Sequence, residues 1–437
     1  MPIQADANSP PQRARSHRLF DLRGGELSLV AWACAYFFFI LSSYYCIRPV
    51  RDAFGLSGGD SELRWLFRAT LVAMIAVNPV FSWLVARFSR RMFILVSYLF
   101  FAANLLIFFL LFAATKEGEA AWARRTFYVW VSVFNLFIVS VFWGFMADLF
   151  TVEQSKRLYG LIAVGGTLGA MAGAGLAWLL AERIRAENML PISITLLLAA
   201  CACMLRLNRL ATRRGGTPPE PDTEADEDGA ASTEPAEPII GGSALAGVTH
   251  LIRSPYLLGI GLFILLYTIL GTLLYFRQAD IVRDAFTSDE ARTAFFSKVA
   301  FLSNALTVLI QIFLTGRVLR TIGVGLTLAL LPIVHVIGFG ALGASPTLIV
   351  LVAFVVGRQA SNYALARPAR ESLFTVLDRE EKYKAKNLID TFVYRAGDAI
   401  GTARIGFLAI PLAAIWFAVA LLLGRRQKTL AREAAAQ

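Results

Sequence analysis

Charged residues are scarce in this sequence. Asp, Glu, Lys and Arg make up 17% of its 437 residues and hydrophobic residues 57%, whereas a soluble domain carries about 25% charged residues. The apolar residues come in blocks of about 20, the length that crosses a bilayer, and residues 92–114 hold no charge at all. The composition therefore argues against a soluble enzyme and predicts an all-α membrane protein.

Cysteine and histidine are scarce too. The four cysteines lie inside or at the edge of apolar blocks, where they act as small packing residues rather than as a disulfide framework: Cys34, Cys46, Cys201 and Cys203. The three histidines show no metal-ligand spacing: His17, His250 and His335. We expect no metal, no cofactor and no catalytic residue. The first 25 residues lack a signal peptide's apolar stretch, so the first span is expected to remain as an uncleaved anchor.

Twelve membrane spans are predicted from the apolar blocks. They cover about 27–47, 65–86, 92–114, 127–147, 159–181, 189–207, 256–277, 295–316, 323–343, 347–366, 387–403 and 406–424. A stretch rich in Pro, Gly, Ser, Thr and acidic residues separates the first six from the last six and predicts a disordered linker. The predicted organisation is a tail (1–26), a six-helix bundle (27–208), the linker (209–242), a second bundle (243–424) and a tail (425–437), with a short interfacial helix over 243–253.

The net charge of +11 is explained by the membrane and needs no nucleic-acid partner. Arginine clusters follow spans two, four, six, eight and twelve, while the other connections are mixed in sign. Positive charge collects on the cytoplasmic side of membrane proteins. We therefore expect a multi-pass protein of the bacterial inner membrane, in contact with lipid, with both termini in the cytoplasm.

An internal repeat relates the two halves. The pentapeptide at 50–54, Val-Arg-Asp-Ala-Phe, recurs at 282–286, and Leu-Phe-Thr-Val at 149–152 recurs at 373–376. The two matches lie at equivalent places, after spans one and seven and after spans four and ten. Parallel repeats of this kind build the major facilitator fold, in which substrate binds between the halves. The predicted fold is two six-helix bundles related by a pseudo-two-fold axis.

Span eleven has one polar face. At about 100° per residue, one side of the helix collects Asn387, Asp390, Thr391, Tyr394, Arg395, Asp398 and Thr402. A charge at mid-bilayer costs roughly 2.5–3.5 kcal/mol, so this face must meet a cavity or a partner helix. Asp398 could also simply pair with Arg395, three residues away.

Arginines dominate the remaining charges near the membrane interior. Arg358 lies near the middle of span ten, while Arg48 and Arg51 close span one and Arg283 closes span seven. The terminal arginines could reach the headgroups instead of a cavity. Because guanidinium binds phosphate bidentately, a cationic cavity predicts an anionic, phosphorylated substrate.

These residues belong to a longer pattern. It comprises Arg-Pro-Val-Arg-Asp-Ala at 48–53, Arg-Pro-Ala-Arg-Glu-Ser-Leu-Phe-Thr-Val-Leu at 367–377, Glu-Lys-Tyr-Lys-Ala-Lys at 381–386, Asp-Thr at 390–391 and Arg-Ala-Gly-Asp at 395–398. The chain resembles the bacterial nucleotide exchange transporters, or ATP:ADP antiporters, a branch related to the major facilitators. The resemblance implies exchange of nucleoside triphosphate for diphosphate. It places in the translocation path Arg48, Arg51, Lys386, Asp390, Arg395 and Asp398.

The functional expectation is therefore an alternating-access antiporter that works as a monomer. Its candidate substrate-binding residues are Arg48, Arg51, Arg358, Arg367, Lys386, Asp390, Arg395 and Asp398. A gate is predicted from the repeat, with Arg51 reaching Asp284 and Arg283 reaching Asp52, unless each pair only caps its own helix end. Two other hypotheses are a proton-coupled transporter that uses Asp390 or Asp398, and a multi-pass membrane enzyme.

Overall fold

The computed structural model describes residues 26–87, 90–115, 121–212, 254–377, 389–403 and 405–436. Within these ranges the secondary structure is helical, without strands. The long helices are α1 (Glu26–Leu56), α2 (Gly59–Arg87), α3 (Arg90–Ala114), α4 (Ala121–Leu149), α5 (Val152–Ala181), α6 (Met189–Thr212), α7 (Pro255–Ala285), α8 (Asp289–Phe313), α9 (Thr315–Ala344), α10 (Leu348–Val376), α11 (389–401) and α12 (Ala409–Ala436). Short 3₁₀ turns precede α6 and α12 at Ala186–Asn188 and Gly406–Leu408.

Ten of these helices, within the described ranges, are long and apolar enough to cross a membrane. The other two are α2, which carries Arg64 and Arg68, and α11, of which only 13 residues from position 389 are described. Helices run beyond several predicted limits, since α6 extends to Thr212 and α12 to Ala436. The rest of the predicted linker and the interfacial helix at 243–253 lie outside the described residues.

The helix ends follow from local sequence. Thr151 caps α5, since its hydroxyl accepts from the Gln154 amide N–H while the Gln154 side chain accepts from the Thr151 backbone. Such a reciprocal capping box satisfies two backbone donors that a helix start leaves unpaired. Ser254 and Ser288 cap α7 and α8 with single hydrogen bonds of 3.4 and 3.1 Å. Gly59 supplies the left-handed backbone, φ 79°, that separates α2 from α1.

Glycines set how closely helices approach within each half. A Cβ added at Gly165, Gly169 or Gly173 of α5 would collide with the backbone of α1. In the second half, a Cβ at Gly397 or Gly401 of α11 would lie 2.9 Å from a backbone oxygen of α7. Small residues let membrane helices pack backbone to backbone. The contacts α1–α5 and α7–α11 are thus counterparts in the two halves.

Three apolar clusters build the interior. The first packs residues of α1 and α3–α6, and the second packs α7, α9, α10 and α12 around the fully buried Trp416. The third cluster joins the halves and is called here the cross-half cluster; its members include Leu56, Leu63, Leu66, Tyr128, Leu274, Phe276, Val282 and Phe295. It lies on the side of the molecule where α1 and α7 end, which we call the first-loop side. The opposite side, where α1 starts, is the terminal side.

Two helices of the second half contain π-helical turns. One interrupts α10 at Asn362–Ala366, and the other begins the described part of α11 at Ile389–Val393. A π turn inserts a residue into the helix and shifts every later side chain around the axis. The uniform 100° spacing used to predict the polar face of α11 therefore does not hold through 389–393.

Candidate functional site

Two adjoining cavities lie between the halves, below the cross-half cluster. The first, the arginine cavity, has a volume of about 110 Å³ and is lined by Arg51, Phe67, Arg68, Thr70, Leu71, Met74, Tyr128, Ser132, Arg395, Asp398, Ala399 and Thr402. The second, the tyrosine cavity, has a volume of about 210 Å³ and is lined by Arg48, Phe67, Tyr267, Thr268, Gly271, Thr272, Tyr275, Arg358, Gln359, Asn362, Tyr363, Tyr394 and Asp398. Phe67 and Asp398 border both.

Arg51 is held in one orientation at the border of the arginine cavity. Its guanidinium lies 4.0 Å from the centre of the Tyr128 ring, and its Nε donates to the Tyr128 carbonyl oxygen at 3.2 Å. Its Nη1 contacts the buried Asp52 carboxylate at 3.2 Å. Stacking and hydrogen bonding together fix a planar guanidinium. The positive charge is thereby presented to the cavity at a defined place.

Arg48, one turn earlier on α1, is held more loosely. Its Nε lies 3.9 Å from Asp52, and its guanidinium lies 5.4 Å from the Tyr45 ring centre. Its side chain is 33% exposed, so it faces the tyrosine cavity with donors available to a ligand. One carboxylate therefore neutralises part of the charge of two arginines.

α11 supplies the opposite wall. Arg395 Nη1 contacts Asp398 at 3.2 Å, and the Thr272 hydroxyl of α7 donates to the other carboxylate oxygen of Asp398 at 3.2 Å. The close approach of Gly397 to α7 keeps this segment in place. The sequence alternative in which Asp398 pairs with Arg395 is thus realised, and both side chains also line cavities.

α10 contributes a partly buried arginine and two carboxamides. The Nε of Arg358 is buried and has no hydrogen-bond partner among the described residues. Asn362, in the π turn, donates to the Tyr267 hydroxyl at 3.0 Å. Gly271 of α7 lies opposite them, and a Cβ added there would lie 3.7 Å from Arg358 Nη1. The missing side chain thus leaves space for the guanidinium.

The charge of the two cavities is strongly positive. Three arginines and one aspartate line the arginine cavity, and two further arginines and the same aspartate line the tyrosine cavity. In a site with little water such an excess attracts anions strongly, because the effective dielectric constant is low. The arrangement can hold a multiply charged anion.

Of the predicted site residues, the structure brings together Arg48, Arg51, Arg358, Arg395 and Asp398. Arg367 is exposed, and neither cavity includes it. The backbone of Asp390 lies in the π turn of α11, while its side chain and Lys386 lie outside the described residues. Arg68 is a lining residue that the sequence reasoning missed, although its place inside a predicted span was a usable signal.

The predicted reciprocal pairs of the gate do not form between the described side chains, which corrects that expectation. Arg51 contacts Asp52 of its own helix, and Arg283 contacts Asp280 at 3.3 Å, while Asp284 is exposed. Each arginine thus finds a carboxylate in its own helix, because Asp52 directly follows Arg51 and Asp280 lies one turn before Arg283 on the same helix face. Both contacts are local, as the alternative expected, although Arg283 contacts Asp280 rather than the adjacent Asp284.

Other polar contacts join the halves at the first-loop side. Tyr275 of α7 donates to Asp52 of α1 at 3.2 Å, and Arg124 of α4 contacts Asp289 of α8 at 2.6 Å. Arg283 Nε donates to the Leu56 carbonyl oxygen at 3.4 Å. In addition, Arg64 of α2 donates to the Thr402 carbonyl oxygen beyond α11. Together with the cross-half cluster, these contacts close the cavities toward the first-loop side.

Comparison with known proteins gives matches in sequence and in structure. The family model described as TLC ATP/ADP transporter matches residues 119–423. ADP,ATP carrier protein 1 of Chlamydia muridarum is 26% identical over 64% of this chain, and the chain spans 58% of that relative's length. ADP,ATP carrier protein 2 of Chlamydia pneumoniae is 22% identical over 91% of this chain and 88% of its own length.

Solved transporter structures share the fold. A POT family peptide transporter, described as auto inhibited, superposes with a TM-score of 0.60 at 13% identity, over 93% of this chain and 97% of that one. A bacterial homologue of the iron transporter ferroportin superposes with a TM-score of 0.59 at 13% identity, over 92% and 98%. The predicted all-α membrane fold of major facilitator type is confirmed.

Proposed function

We propose that this chain, which belongs to the TLC ATP/ADP transporter family, exchanges nucleoside triphosphate for nucleoside diphosphate across the bacterial inner membrane by alternating access. The family membership expected from the sequence is confirmed, and because the family is one of transporters the alternative of a membrane enzyme is set aside. The ADP,ATP carrier names of the chlamydial relatives support the substrate class.

The excess of arginine in the two cavities is the observation that carries the proposal. Five arginines from α1, α2, α10 and α11 face one lining carboxylate, Asp398. Guanidinium groups match phosphate oxygens in geometry and keep their charge at every physiological pH. A polyphosphate would neutralise this excess, whereas a neutral or cationic solute would leave it uncompensated.

The proposed topology has both termini in the cytoplasm, with bundles at 27–208 and 243–424 joined by the linker. The terminal side is then cytoplasmic, and the structure corresponds to a state closed toward the periplasm. The positive connections on that side support this orientation. A monomer is the proposed functional unit, which fits with both walls of each cavity coming from one chain.

Proton coupling through Asp398 is a weaker candidate. The carboxylate contacts Arg395 at 3.2 Å and accepts from Thr272. Both oxygens of the carboxylate are thus engaged, which places Asp398 to orient Arg395. The side chain of Asp390 lies outside the described residues.

Counterflow in proteoliposomes tests the proposal. Vesicles loaded with ADP should accumulate labelled ATP, and empty vesicles should not. Arg358→Gln should raise the ATP concentration for half-maximal uptake at least about ten-fold, because a lost charge-assisted hydrogen bond costs about 1.5–3 kcal/mol. Arg425→Gln, at an exposed position of α12, is the matched control and should behave as the wild type. The proposal is rejected if ATP uptake does not depend on ADP inside the vesicles, or if Arg358→Gln and Arg425→Gln have equal effects on uptake.

A further inference from the structure

The two cavities differ in chemistry, and this difference gives a bound nucleotide a direction. We infer that the nucleotide lies with its phosphates in the arginine cavity and its base in the tyrosine cavity. This inference rests on the proposed function. It adds the orientation of the substrate and the residues that contact its base and its phosphates.

The arginine cavity suits the phosphate chain. Three of its lining side chains are guanidinium groups, those of Arg51, Arg68 and Arg395. The hydroxyl of Thr70 also lines it, at a residue only 9% exposed, and this hydroxyl has no partner among the described residues. A buried hydroxyl costs free energy until it forms a hydrogen bond. Phosphate oxygens accept from both kinds of donor.

The tyrosine cavity suits a flat heterocycle. Four tyrosines line it, and one of them, Tyr363, is 40% exposed. Tyr267 and Tyr394 form an edge-to-face pair at 6.2 Å, and the bond from Asn362 fixes the Tyr267 hydroxyl. Stacking on aromatic side chains is a general way to bind a base, since every base has a π face.

Carboxamides add the means to read the edge of the base. Gln359 and Asn362 both line the tyrosine cavity, one turn apart on α10. Each carboxamide carries a donor and an acceptor, which is the combination that pairs with the edge of a purine. Arg48 and Arg358 can complement them, because guanidinium stacks on rings as well as binding anions.

Both described π turns border the tyrosine cavity. The turn in α10 contains Asn362 and Tyr363, and the turn in α11 immediately precedes Tyr394. π turns weaken a helix and occur frequently at functional sites. Their position beside this cavity indicates that its side chains are placed for binding.

Asp398 and Phe67 lie at the border of the cavities, where the sugar would be. The Asp398 carboxylate is fixed by Arg395 and Thr272. A carboxylate accepts hydrogen bonds from hydroxyl groups and is unsuited to phosphate, because the two repel. Its position between the two cavities therefore matches a ribose that joins a base to its phosphates.

Dissociation constants for ATP and ADP, measured on the purified full chain, test this orientation. Arg68→Gln should weaken the binding of ATP more than the binding of ADP. The ratio between the two dissociation constants should therefore become smaller. Tyr363→Leu should weaken the binding of ATP and of ADP by the same factor, about ten-fold. Tyr363→Phe, which keeps an aromatic ring, should bind both nucleotides as the wild type does. Gln359→Leu, in the same cavity, is a second variant for this test if Tyr363→Leu does not fold. It should also leave the ratio between the dissociation constants for ATP and ADP unchanged.

Competition by inorganic tripolyphosphate gives an independent measurement. Its apparent affinity should fall in Arg68→Gln and stay unchanged in Gln359→Leu. The orientation is overturned if Tyr363→Leu or Gln359→Leu, instead of Arg68→Gln, reduces the ratio between the dissociation constants for ATP and ADP. That result would leave the proposed nucleotide exchange intact. A wild-type protein that binds neither ATP nor ADP rejects the proposed function itself.

Discussion

Tyr275 of α7 donates its hydroxyl hydrogen to Asp52 of α1 at 3.2 Å, directly above the two cavities. Asp52 is 6% exposed and also contacts Arg48 and Arg51, so this carboxylate joins the cavity arginines to the closure between the halves. A ligand that draws the arginines toward its phosphates would weaken their hold on Asp52. Substrate binding and the closure of the first-loop side thus share one residue.

Removing this hydroxyl should loosen the closure. In Tyr275→Phe, the hydrogen bonds of the hydroxyl to Asp52 and to the Tyr128 hydroxyl, both in the other half, are lost. At a total cost of about 1–2 kcal/mol, the population of a state open at the first-loop side should rise about five- to thirty-fold. Spin labels at the exposed positions Ser57 and Thr287 would report a larger fraction of long distances. Tyr256→Phe is the control, because its hydroxyl bonds the Leu373 carbonyl oxygen within one half at 2.9 Å. Identical distance distributions in the two variants would contradict the prediction.

The contact between α5 and α1 should tolerate no side chain at its centre. Gly169→Ala adds a Cβ against the Phe38 carbonyl oxygen, and overpacking of this kind costs typically about 1–3 kcal/mol. The melting temperature in detergent should fall by several degrees. Gly144→Ala, where a Cβ meets no described heavy atom within 4 Å, should melt as the wild type or slightly higher. Equal melting temperatures would show that the two helices can separate without cost.

Neutralising Asp398 should strengthen the binding of a polyphosphate that carries no sugar. Asp398→Asn removes the carboxylate that lines both cavities and releases Arg395 from its ion pair. We expect the dissociation constant of inorganic tripolyphosphate to fall about three- to ten-fold, because one repelling charge is lost. Asp284→Asn, at an exposed carboxylate, is the control and should change nothing. Weaker tripolyphosphate binding by Asp398→Asn would contradict the prediction.

His335 should be replaceable without loss of stability. It is fully buried in α9, its Nδ1 lies 2.9 Å from the Leu331 carbonyl oxygen of the same helix, and its Nε2 has no partner among the described residues. Replacing a buried, half-satisfied polar group by an apolar one of similar size is often neutral or stabilising. His335→Leu should therefore keep the melting temperature, and Tyr98→Leu, which breaks a buried contact with the Tyr36 hydroxyl, should lower it. A large fall for His335→Leu would show that Nε2 has a partner in the membrane.

The sequence predicted most of the helices because a bilayer demands long apolar blocks, and it predicted Arg358 and Arg395 because charge is costly there. It did not predict Tyr267 or Tyr363, and it placed Tyr394 on the polar face of span eleven without naming it as a binding residue. Aromatic residues are common throughout these helices, and periodicity does not tell which of them face a cavity. The π turns left no trace in the apolar pattern, because they depart from 3.6 residues per turn only locally. Beyond the π turn of α11, the predicted polar face lines the cavities with Tyr394, Arg395, Asp398 and Thr402.

The gate shows a different limit. The repeat located Arg51 near the end of α1 and Arg283 in the last turn of α7, but it could not give the rotation of each helix. A side chain as long as arginine chooses among several carboxylates within reach, and the choice depends on a few tens of degrees. Pairing between helices is thus decided by packing that a single sequence does not record.

The cross-half cluster also determines where the membrane voltage acts. The membrane voltage falls mainly across the tightly packed apolar part of a membrane protein. Most of the voltage drop therefore lies across this cluster, whose members include Leu63, Phe276 and Phe295. One elementary charge moved through that drop changes the free energy by about 2.3 kcal/mol per 100 mV. Arg48 and Arg358 line a cavity on the terminal side of this cluster, so both lie on one side of the main voltage drop. In the proposed exchange, the drop passes to their other side when the carrier reorients, so the direction of exchange should respond to the charge difference between the two nucleotides.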